Sequence, residues 1–217
     1  MNFAGLVEVN TPKEIHTFQE KEGLKYSQVD NTEVGLPPNS DLDPGKYEGG
    51  LRIWECSIDL LRYLKTIRVP QRVLELGCGH GLPGIYCMQQ GAQVVFQDFN
   101  KEVLEYATMN NVKANCGSLE GTFLAGEWQD MSHLSKFGLI LSSETIYNPF
   151  NYQKLLTAIK SSCEGFALIA CKAFYFGVGG GSESFIKEAQ NWGFEAEIVE
   201  EIQEVASTRH IIKLTPT

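Results

Sequence analysis

The chain lacks any long apolar run. Nowhere do the roughly 20 consecutive apolar residues needed to cross a bilayer occur, and no secretory signal pattern opens the sequence. Metal-ligand spacing is also missing. Six cysteines stand at 56, 78, 87, 116, 163 and 171 without a C-x-x-C pair, and histidines 16, 80, 133 and 210 form no ligand spacing with one another or with cysteine. This argues against a metal site or a disulfide framework and implies reduced thiols in an intracellular protein. Positive charge is scarce, with 18 Lys and Arg against 27 Asp and Glu and a net charge of −9. Nucleic-acid binding normally needs a basic stripe, so direct contact with nucleic acid is not expected. The acidity suits a basic protein partner through steering, or serves solubility alone. No Lys/Arg cluster reads as an import signal, which leaves cytoplasm, nucleus or both, and no internal repeat is visible.

What is present alternates. After a polar extension (residues 1–45) with a possible short hairpin in "EIHTFQEKEGLKYSQV", a single domain is expected over 46–217. "RIWECSIDLLRYLKTI" carries Ile53, Trp54, Ile58, Leu61 and Leu64 on one helical face. "RVLEL" (72–76), "QVVFQD" (93–98), "GTFLAG", "FGLILSS" and "GFALIAC" read as buried strands. The intervening helices include one with Asn100 as N-cap and one capped by Ser182. "EAEIVEEI" and "RHIIKLT" follow each other too closely for a helical crossover and so form an antiparallel pair. The expectation is an α/β, Rossmann-like, seven-stranded and mostly parallel sheet with a C-terminal antiparallel strand and helices on both faces. Its ligand site lies outside the carboxyl ends of the strands.

The loop "GCGHGLPG" (77–84) fits two patterns. One is the dinucleotide G-x-G-x-x-G, and the other is a G-x-G-x-G turn that holds S-adenosylmethionine (SAM). The antiparallel end of the sheet, and the lack of room for a separate substrate domain, favour the second. Glu75, just before the turn, would repel a phosphate and tolerate a cationic amino acid, or else it only braces the turn. Gly77, Gly79 and Gly81 are the turn residues, while Gly84 eases packing of the next helix. Asp98 ends the second strand, where a carboxylate accepts a ribose diol. Phe99 is placed to flank an adenine and Trp128, in "GEW", to stack on one, or Trp128 is a core residue. Trp54 beside Glu55 suits a sulfonium through cation–π attraction, or marks a buried helix start. Ser143, Glu144 and Tyr147 leave the sheet where a transferred group and its acceptor should meet. Phe174 and Tyr175, in a glycine-rich loop, offer aromatic walls.

Together "YEGGLRIWEC", "VLELGCGHGLPGI", "FQDFN", "GEW", "SSETIYN" and "KAFYFGVGGG" resemble the eukaryotic histidine protein methyltransferases, over roughly residues 40–217. The resemblance implies SAM as cofactor and S-adenosylhomocysteine as product. Trp54, Glu55 and Cys56, with the flanking Ile53 and Ser57, would meet the methionine end. Glu75, Gly77, Gly79 and Gly81 would form the turn, and Gln97, Asp98 and Phe99 would take the ribose. Gly126, Glu127 and Trp128 would take the adenine, with Ser143 near the reacting centre and Glu144 and Tyr147 catalytic in an acid-x-x-Tyr motif. The implied substrate is a histidine of a large-subunit ribosomal protein, methylated on the ring nitrogen remote from Cβ by a monomeric enzyme. A lysine or small-molecule methyltransferase, or a non-catalytic scaffold, would share the cofactor residues.

Overall fold

The nearly continuous apolar runs form strands buried on both faces, the pattern expected of parallel strands covered by helices. A computed structural model describes residues 5–15, 17–29, 31–35, 43, 45–205 and 207–217. Most of the turn-rich stretch before Tyr47 lies outside the described residues.

In chain order the elements are β1 (Val7–Glu8), β2 (Phe18–Lys21), β3 (Leu24–Ser27), α1 (Glu55–Leu64), β4 (Arg72–Leu76), α2 (Leu82–Gln89) and β5 (Gln93–Asp98). Then follow α3 (Lys101–Val103), a π-helical turn (Leu104–Thr108), α4 (Met109–Cys116), β6 (Thr122–Ala125), β7 (Phe137–Ser143) and α5 (Tyr152–Ser162). The last four are β8 (Cys163–Lys172), α6 (Ser182–Asn191), β9 (Phe194–Gln203) and β10 (Thr208–Pro216). The main sheet has eight strands in the order β1-β6-β5-β4-β7-β8-β10-β9. The five from β6 to β8 are parallel, and β10 is antiparallel to both β8 and β9. The eighth strand, beyond the seven expected, is β1, whose two residues pair antiparallel with β6.

Side-chain alternation divides the core. Val73, Phe96, Leu139 and Leu141 pack with α1, α2 and α4 on one face, and Leu74, Leu76 and Ile140 pack with α5 and α6 on the other. The hairpin β2–β3 turns at Glu22 and Gly23, both at positive φ. Its Glu22 carboxylate meets Arg62 and Lys65 near the C-terminal end of α1. A buried ion pair joins α1 to the C-terminal hairpin: Arg209 Nε donates to Asp59 Oδ2 at 2.5 Å, and both side chains are 4% exposed. All six cysteines are free. Among the described residues no helix is long and apolar enough to cross a membrane.

Two capping expectations are corrected. Asn100 does precede α3, but its side chain makes no cap. Its Oδ1 accepts from Glu48 N (3.2 Å) and its Nδ2 donates to Lys46 O (2.7 Å), so it docks the preceding segment instead. Gly181 occupies the N-cap of α6, which makes Ser182 its first residue. Its hydroxyl is spent on His210 Nδ1 at 2.8 Å.

Candidate active site

β4 lies between β5 and β7, so the chain reverses its winding direction there and leaves a crevice at the strand ends. A cavity of about 370 Å³ occupies that crevice, within the roughly 300–1,000 Å³ usual for small-molecule sites. Its floor is the glycine turn. Gly77, Gly79 and Gly81 have φ of 61°, 52° and 69°, a region that side chains with a Cβ rarely enter. A Cβ would come within 2.8 Å of Thr145 at Gly77 and 3.0 Å of Gly50 O at Gly79. The bare backbone is therefore what lets the turn, the segment 45–50 and the cavity coexist.

The turn is tied down from behind. Asp98 is 5% exposed and accepts from Gly79 N (2.9 Å) and Asn100 N (3.1 Å). Burial pushes its carboxyl up to about 6, against those backbone donors. Thr108 donates to Gly79 O at 2.6 Å from the π-helical turn, the kind of irregularity often found at functional sites. His80, within the turn, is buried and bolts it to its neighbours. Leu51 O can only accept, so the ring Nε2 donates to it (2.9 Å) while Nδ1 accepts from Asn111 Nδ2 (3.1 Å). Burial holds its pKa below the usual value and keeps the ring neutral.

Of the anticipated cofactor residues, Ile53, Trp54, Ser57, Gly77, Gly79, Gly81, Asp98, Phe99, Gly126, Glu127, Trp128 and Ser143 line the cavity, as do Glu144 and Tyr147. Four do not. Glu75 is 1% exposed and turned beneath α2, where Oε2 accepts from Gly84 N at 2.9 Å. Burial, reinforced by Asp98, pushes its carboxyl up to about 8. It is mostly protonated at pH 7 and neither repels a phosphate nor attracts a sulfonium, so it braces the turn. Gln97 is wholly buried and works indirectly. Its Oε1 accepts from Gly77 N (3.2 Å) and Trp128 Nε1 (2.9 Å), and its Nε2 donates to Gly126 O (2.7 Å). Glu55 points outward beside Lys172 (3.7 Å). Cys56 is 1% exposed within the core, and burial followed by the nearby Glu144 charge keeps it a thiol. One helical turn cannot aim consecutive side chains at one ligand.

Trp54 lines the cavity and donates to Gly49 O at 3.0 Å. Its ring already meets two cations of the chain, Arg52 at 4.8 Å and Lys172 at 5.9 Å from the centroid.

The remaining wall is built from two carboxylates and two tyrosines. Glu144 has φ of 57°, a conformation that costs a non-glycine residue of order 1–3 kcal/mol and clusters at functional sites. Its Oε2 accepts from Tyr175 OH at 2.6 Å, while Oε1 is enclosed without a hydrogen-bond partner. Tyr147 donates to Glu48 Oε2, and Glu48 Oε1 accepts from Gly45 N at 2.8 Å. Burial and Glu48 hold the Tyr147 phenol well above its ordinary value. The two tyrosine rings meet edge to face at 6.3 Å. Sequence reasoning missed Glu48, although it sits in the quoted "YEGG", and it read Tyr175 only as a wall. The available signal was a carboxylate beside a glycine pair, in a segment that must turn tightly.

The fold and the cavity define a doubly wound scaffold of the class I methyltransferase type. The chain belongs to the family described as "Lysine methyltransferase", whose model matches residues 42–190. It is 44% identical over 159 residues to the histidine protein methyltransferase 1 homolog of Dictyostelium discoideum, covering 69% of this chain and 52% of that one. With the homolog of Rattus norvegicus it shares 40% over 204 residues, 76% of this chain and 56% of the other. The chain thus spans about half the length of these curated relatives. The solved magnesium protoporphyrin IX methyltransferase of Synechocystis PCC 6803, with bound SAM, superposes with a TM-score of 0.59. That match covers 75% of this chain and 78% of the other at 14% identity, and shows the fold alone.

Proposed function

We propose that this protein methylates a histidine of a protein substrate, with SAM as methyl donor. The residues present fit that cofactor. The bare-backbone cradle at Gly77 and Gly79, a buried carboxylate at Asp98 and the Trp128 ring suit a ribose, an adenine and an amino-acid tail. When bound, SAM supplies an electrophilic methyl on a sulfonium.

The observation that carries the acceptor reading is Glu144. A buried acceptor left unbonded costs about 1–3 kcal/mol, and here that cost is added to backbone strain. The unbonded oxygen would gain a partner if the carboxylate turned from its enclosed place beside Cys56 toward a donor entering the cavity. An imidazole is such a donor. Glu144 accepts one ring N–H and thereby presents the other nitrogen as a lone pair. That nitrogen forms the bond to the methyl carbon as the carbon–sulfur bond breaks, the electron pair leaving on sulfur. Glu144 stabilises the positive charge on the ring until the N–H proton leaves to the carboxylate or to water. An imidazole of pKa near 6.5 is already mostly neutral at pH 7, so alignment is the chain's main contribution.

A macromolecular acceptor is supported by the rim. Phe150 (92% exposed), Phe174, Phe176 (88%) and Val178 stand exposed on the two loops that follow β7 and β8. Such patches mark interaction sites more often than bare surface. The net charge of −9 favours a basic partner. A histidine of a large-subunit ribosomal protein, methylated on the nitrogen remote from Cβ, is the substrate this reading assigns. The family's description as "Lysine methyltransferase" favours a second reading, a lysine acceptor. That acceptor must first lose a proton from a group of pKa near 10.4.

The experiment is incubation with labelled SAM and ribosomal extract, followed by mapping of the modified residue. Label on histidine supports the proposal, and label confined to lysine refutes it. Glu144→Gln should lower kcat about 10–100-fold, the value of a hydrogen bond to a charged group. An unchanged kcat would remove Glu144 from the mechanism.

A further inference from the structure

Among the described residues three cations line the cavity: Arg52, Lys154 and Lys172. Lys154, on α5, is engaged by Glu127 beside the expected adenine residues, Nζ to Oε2 at 2.8 Å. The other two gather at Trp54, the Arg52 guanidinium 4.8 Å and the Lys172 ammonium 5.9 Å from the ring centroid. The electrostatic attraction of the ring is thus already taken up by the chain's own charges, and those charges repel a sulfonium. The carboxylates that line the cavity are engaged as well. Glu48 accepts from Tyr147 and Gly45 N, Glu144 from Tyr175, and Asp98 from backbone amides. Lys172 is different. It ends β8, and its one ion-pair partner among the described residues is Glu55, half-exposed and at 3.7 Å, beyond hydrogen-bond reach. It therefore brings three N–H donors to the cavity edge without an acceptor for them among the described residues.

The order of the strands decides which end of SAM faces these cations. The adenine residues follow β6, Asp98 ends β5, the glycine turn follows β4, and Lys172 ends β8 beyond β7. From Asp98 to Lys172 is three strand spacings, about 14 Å, on the side away from the adenine residues. A cofactor with its ribose at Asp98 and its adenine at Trp128 runs its amino-acid tail toward that side. The carboxylate of the tail is the one anionic group that SAM carries, since its ammonium and sulfonium are both cations.

We infer that Lys172, with Arg52 on the same indole ring, receives the methionine carboxylate of SAM, and that Trp54 is the platform for these cations rather than the seat of the sulfonium. This rests on SAM being the cofactor, and it holds for a histidine or a lysine acceptor alike. A hydrogen bond from an ammonium to a carboxylate is shorter and stronger than a neutral one. Gathering two like charges on one ring also costs energy, which the half-exposed Glu55 offsets only in part. An anion beside them relieves that repulsion.

The test is calorimetry on the full chain with S-adenosylhomocysteine and with its decarboxylated analogue, which keeps the adenosine, the thioether and the amine. The wild type should prefer S-adenosylhomocysteine about 10–100-fold, the value of a hydrogen bond to a charged group. Lys172→Met keeps an unbranched apolar stem and removes the charge. It should weaken S-adenosylhomocysteine by about the same factor and leave the analogue within about twofold. Lys172→Arg should keep most of the preference. A Lys172→Met protein that loses affinity for both ligands equally gives Lys172 a structural role only and overturns the inference. Unchanged affinity for both, with a raised KM for the protein substrate, places Lys172 at the acceptor and overturns it too. If Lys172→Met fails to fold, Lys172→Gln carries the same comparison. A wild type that binds the two ligands equally refutes carboxylate recognition without any variant. Binding of neither ligand refutes SAM as the cofactor instead.

Discussion

Glu75 gives the protein a stability profile that can be calculated before it is measured. Its carboxyl is pushed up to about 8 in the folded state, against roughly 4.3–4.5 for an unfolded chain. Below that lower value both states are protonated and the residue costs nothing. As pH rises from about 4.5 to about 8 the unfolded state ionises while the folded state holds its proton, so stability falls by about 1.4 kcal/mol per pH unit. Across that window the loss totals about 5 kcal/mol, and above it the profile levels off. Glu75→Gln keeps an oxygen to accept from Gly84 N and cannot ionise. The amide shifts stability by a constant, so the diagnostic quantity is the slope. Asp98, raised to about 6, pulls in the same direction over a lower range. His80, with its lowered pKa, pulls the other way as pH falls below about 6.5. Both groups are present in both proteins and largely cancel in the difference. Urea unfolding at pH 5, 6, 7 and 8 should show the variant gaining about 4 kcal/mol on the wild type between the ends of that series. Parallel profiles would mean that Glu75 is ionised in the folded protein and that its burial is compensated by charge from the α2 N-terminus.

Gln97→Ala strands Gly77 N, Trp128 Nε1 and Gly126 O. Each unpaired group costs about 1–3 kcal/mol, and calorimetry should show SAM affinity lowered about tenfold or more. Unchanged affinity would mean that the turn and Trp128 hold their places without it. Arg209→Met leaves Asp59 buried with Arg62, at 3.6 Å, as its one remaining ion-pair partner among the described residues. It should cost about 3–5 kcal/mol in urea unfolding, and Asp59→Leu in the same chain should recover most of that.

The parallel core was legible because its strands are short apolar runs between turn residues. β4, β5 and β7 begin and end where those runs do. β1 was not legible, because two residues carry no periodicity and their pairing is decided by the free edge of β6. The three glycines of the turn could be read because only glycine takes that conformation cheaply. Glu75 was misplaced although strand alternation held the answer: it shares a face with Val73, toward α2, and a ligand sits past the strand end. The failures at Asn100 and Ser182 share one cause. A local capping rule gives way when tertiary structure offers the same side chain a distant partner. Glu48 and Tyr175 lie 99 and 31 residues from the groups they bond, and no local pattern signals a pairing across such distances.

The Asp59–Arg209 pair spans 150 residues, which has a kinetic meaning. At about 5–20 residues per second of synthesis, Asp59 waits roughly 8–30 s for its guanidinium to be made. Until then α1 can seal against the sheet only by burying that carboxylate with its more distant partner, Arg62 at 3.6 Å. The glycine turn and the first parallel strands are complete well before that moment. α1, which follows the cavity residue Trp54, gains its closest ion pair only when the last strand arrives. Within this chain the cavity wall that carries Trp54 is thus made long before the residue that completes its support.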